Sequence, residues 1–239
     1  MILLFTDFGP AGPYLGQMEA VLRLNAPGVD VIHLVSDAPA PLPAGYLLAA
    51  LCRQFPEGSV FLSVVDPGVG GDRQALVLEA DGRWFVGPGN GLLNTVAAQA
   101  ESRRWLRIDW RPARLSASFH GRDLFAPVAA RIAKRDFGWE HQAIDGPDVT
   151  AWPADRASIV YFDHYGNALT GLRYRSEFAE RLLRVNDRQV PHADVFCAVE
   201  AGAAFWYRNS LDLVEVAVNR GGADQALGLA IGDSVVFEP

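Results

Sequence analysis

Ser59–Arg73 reads SVFLSVVDPGVGGDR, and the fold turns on how this stretch is read. Its first half, Val60-Phe61-Leu62 and Val64-Val65, is apolar and rich in β-branched and aromatic residues. A short run of this kind, bounded by turn residues, is a strand buried on both faces, as in a parallel sheet covered by helices. The run ends at one carboxylate, Asp66, followed by Pro67, Gly68, Gly70 and Gly71, with Arg73 closing the loop. Open α/β sheets hold their ligands at the carboxyl ends of such strands. A surface turn in which Asp66 and Arg73 simply pair is the plainer alternative.

Outward from this strand the pattern repeats. Ile2–Phe5 is a short apolar strand ending at Thr6-Asp7-Phe8-Gly9. Tyr14–Asn25 carries Leu15, Met18, Val21, Leu22 and Leu24 at helical spacing, and Pro27-Gly28 stops it. Val31–Val35 is a strand, Asp37–Pro43 an irregular proline-containing loop, and Ala44–Phe55 a helix. Ala75–Glu79 and Trp84–Val86 form a hairpin around Asp81-Gly82. Gly87–Gly91 is a second glycine-rich loop, followed by a helix over Leu92–Ala100, a strand over Trp105–Ile108 and a helix over Leu124–Ala133. Strands alternating with helices predict a layered α/β domain with a largely parallel sheet over residues 1–145.

Residues 146–157, with Gly146-Pro147 and Trp152-Pro153, read as a linker. Beyond it, short strand-like runs dominate: Ser158–Phe162, Leu169–Tyr174, Leu182–Val185, Leu213–Val218 and Ser234–Phe237. Residues 158–239 are therefore expected to form a smaller antiparallel, β-barrel-like domain.

Composition narrows the function. The 239 residues are 50% hydrophobic and carry a formal charge of −7, which disfavours nucleic acid as a partner. Cys52 and Cys197 show neither a disulfide framework nor zinc spacing. The opening MILLFTDFG lacks a basic n-region, and no apolar run approaches the ~18 residues of a membrane span, so a soluble, cytoplasmic protein is expected.

Polar residues stand at strand ends and in tight loops: Asp7, Asp66 with Arg73, Asn90, His120, Asp163, Asn167, Asn209 and Ser210. Each has a plain reading: a helix cap for Asp7, a left-handed turn for Asn90, a loop histidine for His120. Together they suit a hydrolase that prepares a water with Asp66, Arg73 and His120. Metal-assisted hydrolysis on Asp7, Asp66 and His120 and a nucleoside-binding sensor are the alternatives. No dense metal-binding signature is present, which ranks the metal reading lower.

The ordered motifs resemble one family along almost the whole chain. They are Thr6–Gly9 with Tyr14–Met18, Phe55–Gly58, Val64–Gly70 with Arg73, Pro88–Leu93, Phe119–Pro127, Asp163–Asn167, Phe205–Ser210 and Leu227–Leu229 with Gly232-Asp233. The family is the S-adenosyl-L-methionine hydroxide adenosyltransferases, relatives of the fluorinase and chlorinase. The resemblance implies hydrolysis of S-adenosyl-L-methionine at C5′ to adenosine and L-methionine, with no cofactor or metal. It implies Asp66, Arg73 and His120 as the water-directing triad and Asp7 on the ribose. Asp163 and Asn167 would hold the methionine part, Asn209 and Ser210 would lie near either end, and Phe196 would face the adenine. Asn90 and Gly121 would complete the substrate contacts. It further implies a homotrimer with intersubunit sites. A binding protein with little turnover, or a halogenase, are the alternatives; the carboxylate Asp66 would repel a halide, which favours water. Gly12, Gly89 and Leu211-Asp212 depart from the usual pattern.

Overall fold

The computed structural model describes residues 1–238 and divides into two compact units, Met1–Trp152 and one beginning at Pro153.

The first unit contains β1 (Ile2–Thr6), α1 (Tyr14–Asn25), β2 (Val31–Val35), α2 (Pro41–Leu51), β3 (Val60–Val64), β4 (Ala75–Ala80), β5 (Arg83–Pro88), α3 (Asn94–Gln99), β6 (Arg103–Ile108), α4 (Ala126–Ala133) and β7 (His141–Ile144). The seven strands form one sheet in the order β2-β1-β3-β5-β4-β6-β7. β2, β1, β3 and β5 are parallel neighbours, whereas β4 and β7 run against the rest. The sheet is thus largely parallel, with one reversed strand inserted by the tight hairpin at Asp81-Gly82 and one at the edge. Both hairpin residues have positive φ, 46° and 74°, which suits the strand twist.

β1 and β3 are buried at every position, as expected for strands covered on both faces. Met18 and Leu22 of α1 and Val128, Ala129 and Ile132 of α4 pack on one face with Ile2, Leu4, Leu62 and Val64. On the other, Phe61 and Phe85 stack at 4.9 Å. At ~25 cal/mol per Å2 of apolar surface, each large side chain buried this way contributes roughly 1.5–3 kcal/mol.

α2 begins at Pro41, earlier than the sequence pattern indicated. Proline is tolerated there because first-turn N–H groups have no intrahelical partner. β7 was not legible as a strand: its residues are mostly exposed, so it carries no apolar pattern and is held by pairing with β6.

The second unit contains β8 (Arg156–Phe162), β9 (Ala168–Arg173), β10 (Leu183–Val185), β11 (Arg188–Val190), β12 (Ala204–Arg208), β13 (Leu213–Val218), α5 (Ala223–Leu227) and β14 (Val235–Phe237). β8 starts at Arg156, within the stretch read as linker. One antiparallel sheet has the order β12-β13-β9-β8 and the other β11-β10-β14. Single bridges, Ser158–Ser234 and His192–Trp206, join the two sheets, a barrel-like arrangement without continuous closure. Trp206, Val185, Val216 and Val235 are fully buried between them.

Candidate active site

In the first unit, the parallel register aligns the carboxyl ends of β1, β3 and β5. Thr6 lies opposite Val64 and Leu62 opposite Val86. Asp7, Asp66 and Asn90 follow these strands directly, so three polar side chains share one edge of the sheet. The Asp66 charge reaches Asp7, and the Asp66 backbone amide bonds its carboxylate. The Asp7 pKa is raised, chiefly by desolvation and further by the Asp66 charge. Asn90 is not left-handed; Gly91 takes the positive φ, 96°. The Asn90 amide donates to the Val65 carbonyl at 2.8 Å and accepts from Leu92 N–H at 3.3 Å, so it ties the second glycine loop to the end of β3.

Arg73 folds back from the loop after β3. Its Nε donates to both Asp66 oxygens, at 3.1 and 2.9 Å, and its Nη2 also donates to Asp66 Oδ2. The pair is buried, with side chains 4% (Asp66) and 12% (Arg73) exposed. Arg73 Nη2 further donates to His120 Nδ1 at 2.9 Å. A guanidinium has no acceptor, so His120 Nδ1 must be unprotonated, and the neutral ring carries its hydrogen on Nε2. The His120 pKa is lowered, first by desolvation and then by the Arg73 charge, with Asp66 opposing. Asp66, Arg73 and His120 therefore form one chain of contacts from residues up to 54 positions apart.

Two local features hold His120. It immediately precedes a single π-helical turn, Gly121–Phe125, which leads into α4. Next to it, Arg122 donates to both Asp123 oxygens and to Gln17 of α1, while Asp123 accepts the Ser116 amide. Gly121 is buried, and a side chain there would press on Met18 Sδ at 3.2 Å and Phe8 Cζ at 3.3 Å. Gly70 has φ +84°, and a Cβ there would meet the Ala117 carbonyl oxygen at 2.6 Å. The Arg73 loop and the His120 loop thus touch through a glycine. Gly70→Ala is expected to push the two loops apart and lower turnover about 10-fold or more, with substrate affinity little changed; steady-state kinetics checks this. Gly89 leaves no room for a longer side chain, since a Cβ would lie 3.0 Å from Leu76 Cδ1 and 3.2 Å from the Gln74 carbonyl oxygen.

The remaining residues expected from sequence to contact substrate lie in the second unit. Asp163 Oδ1 accepts the backbone N–H groups of Tyr165 and Asn167, and Oδ2 accepts the Asn167 amide, each at 2.9 Å. Asp163, Asn167 and Phe196 line a cavity of about 690 Å3 with Tyr207 and Arg220. Phe196 meets Phe205 edge-on at 4.9 Å and Tyr207 at 5.5 Å. Asn209 does not line this cavity. Its amide oxygen accepts Leu211 and Leu213 N–H at 2.9 Å, and its nitrogen donates to Glu215 Oε2 at 2.7 Å. Ser210 is exposed.

Tyr207, Glu215 and Arg220 were not singled out from sequence. Glu215 is 4% exposed and accepts the Tyr207 hydroxyl at 2.5 Å. Burial raises the pKa of both groups. The available signal was a carboxylate inside the otherwise apolar run Leu213–Val218. Among the described residues no group of three or more His, Cys, Asp or Glu is placed to hold a metal ion, and no helix is long and apolar enough to cross a membrane.

Residues 2–141 match the SAM hydroxide adenosyltransferase N-terminal domain, and residues 157–236 match the corresponding C-terminal domain. A Thermus thermophilus protein named (R)-S-adenosyl-L-methionine hydrolase is 37% identical, covering 97% of this chain and 96% of its own. A Salinispora arenicola protein of the same name is 35% identical, covering 96% and 94%. Among solved structures, an uncharacterized conserved protein from Thermotoga maritima superposes with a TM-score of 0.88 at 28% identity over 100% of both chains.

Proposed function

Because the chain belongs to the SAM hydroxide adenosyltransferase family, we propose that it hydrolyses S-adenosyl-L-methionine to adenosine and L-methionine. The observation that carries the reading is the chain from the nearly buried Asp66–Arg73 pair to the half-buried His120 at the carboxyl edge of the parallel strands.

The water oxygen attacks C5′ and the C5′–S bond breaks. Its electron pair neutralises the sulfonium, which leaves as the thioether of methionine. The departing group is already a good one, so the protein's tasks are to align water with C5′ and receive a proton. Holding reactants in line can contribute roughly 7–11 kcal/mol in the best cases. Asp66 Oδ1 accepts one hydrogen bond from Arg73 and keeps lone-pair capacity for a hydrogen of the water. With Nδ1 taken by Arg73, His120 serves through Nε2–H, which donates to the water oxygen and leaves its other lone pair for C5′. Asp66 then receives the proton and passes it to solvent. In this reading His120 orients the water and Asp66 is the general base.

Asp7 holds the ribose diol through charge-assisted hydrogen bonds. Asn90 sets the loop beside it, and Gly121 lets Phe8 and Met18 close behind His120. Asp163 and Asn167 hold the methionine part, and Phe196 packs on the adenine; Asn209 acts by fixing the Ser210 turn and Glu215. The working assembly is a homotrimer, with the triad and the Asp163 pocket of one site supplied by neighbouring copies. No cofactor enters the scheme. The enzyme works in the cytoplasm, which suits its two free cysteines.

Incubation with S-adenosyl-L-methionine, with and without chloride and a chelator, tests the reading. Adenosine and methionine unaffected by either addition are expected; a 5′-chloro product or loss of activity with chelator would overturn it. Asp7→Ala is expected to weaken adenosine binding about 10- to 100-fold, as loss of hydrogen bonds to a charged group does. Wild-type affinity by calorimetry would contradict the ribose role.

A further inference from the structure

Asp66 and His120 hold Arg73 by its edge. A guanidinium is planar, and its N–H groups lie in that plane. Nε and Nη2 donate to Asp66, and Nη2 donates to His120 Nδ1, so these bonds run along the plane. They fix where the edge sits and leave the plane free to tip about it. The face is covered by Phe125, whose ring centroid lies 5.2 Å from Arg73 Cζ. Phe125 is fully buried, in the core cluster that includes Val64, Val86 and Leu124, so close packing keeps the ring in place. A cation over an aromatic face is attracted by the ring quadrupole, more strongly where both groups are desolvated. That condition holds here, with the Arg73 side chain 12% exposed.

The π-helical turn lets one short segment supply both contacts. Ala126 N–H bonds the Gly121 carbonyl, five residues back. A turn closed in this way brings residues five apart towards one side. His120 and Phe125 are five apart, and both meet Arg73. In an α-helix, at ~100° per residue, they would diverge by about 140°, and only one could face the arginine. We infer that Phe125 is a positioning residue: through the π-helical turn, its ring holds the Arg73 guanidinium in the plane from which it reaches both Asp66 and His120. This rests on the reading of those three residues as the water-directing group.

The test compares the wild type with Phe125→Leu and with fluorinated phenylalanines installed at position 125. Leucine keeps apolar bulk and removes the aromatic face. One, two and three ring fluorines keep the shape and drain negative charge from the face stepwise. In Phe125→Leu, kcat for adenosine release is expected to fall about 10-fold, with KM within about threefold, as a misplaced catalytic group gives. Along the fluorinated series kcat should fall stepwise. The acid limb of kcat/KM should move with it. The charges acting on His120 are Arg73 and Arg111, which disfavour its protonation, and Asp66 and Asp123, which favour it. Loosening Arg73 alone therefore shifts the limb to higher pH. A rate and an acid limb that stay fixed along the fluorinated series would overturn the assignment, even if Phe125→Leu were slow or failed to fold. If the wild type releases no adenosine, the hydrolytic reading fails. The His120 ring titration, followed by NMR with His120→Ala to identify its signal, still reads the contact. A midpoint that rises along the series supports the role of Phe125, and an unmoved midpoint would overturn it separately.

Discussion

Asp66→Asn is expected to slow adenosine formation at least 10²-fold while S-adenosyl-L-methionine binds within a few-fold of wild type. The amide keeps the shape of the side chain but loses the charge that fixes Arg73 and the basicity that the proposed mechanism needs to take a proton from water. General acid–base assistance of this kind is worth about 10²–10⁴ in rate. The same change separates catalysis from stability. Asp66 and Arg73 are both nearly buried, so removing the anion strands a guanidinium in low dielectric. Breaking a buried pair costs about 3–5 kcal/mol, and denaturant unfolding should register a loss of that order. His120→Ala is expected to give a comparable fall in rate with a much smaller loss of stability, because His120 leaves no unpaired charge behind. Single-turnover kinetics with unfolding curves for both variants checks the pair, and unchanged turnover in both would remove the triad from the mechanism.

Arg73→Met should cost at least 10²-fold in kcat and also move the pH profile. In the wild type Arg73 donates to Nδ1, so the proposed mechanism uses the neutral His120 ring. Its pKa lies below the ordinary 6.5, so activity should persist as pH falls through that value and decline only at lower pH. The sign for stability is the same. The unfolded chain binds the His120 proton more readily, so this contribution is present above about pH 6.5 and is lost as pH falls through the lowered folded value. Without Arg73 the repelling charge is gone and Asp66 still attracts the proton, while desolvation remains. The acid limb of kcat/KM is therefore expected to shift upward. A limb that stays in place would exclude the Arg73–His120 contact as the control of protonation.

What the chain declares by itself is what rests on short-range pattern. Val60–Val65 reads as a buried strand because neighbouring residues suffice to show it, and Tyr14–Asn25 reads as a helix because its apolar residues share one face. Asp7, Asp66 and Asn90 follow their strands directly, so placing the strands placed them. The ordered motifs carried the family, and with it the expected chemistry.

Tertiary structure alone decided relations between distant residues. The reversed direction of β4 and β7 depends on partners, and the exposed residues of β7 leave no periodic trace. β12 was visible only as the aromatic run Phe205–Tyr207, because aromatic runs do not report which strand they pair with. The hydrogen on His120 is assigned by an arginine 47 positions away, and the Asn209 side chain is taken up by Glu215 and by the Leu211 and Leu213 amides. Pattern along a chain encodes which face is buried; protonation, pairing and charge complementarity are set by which groups the fold brings within a few ångströms.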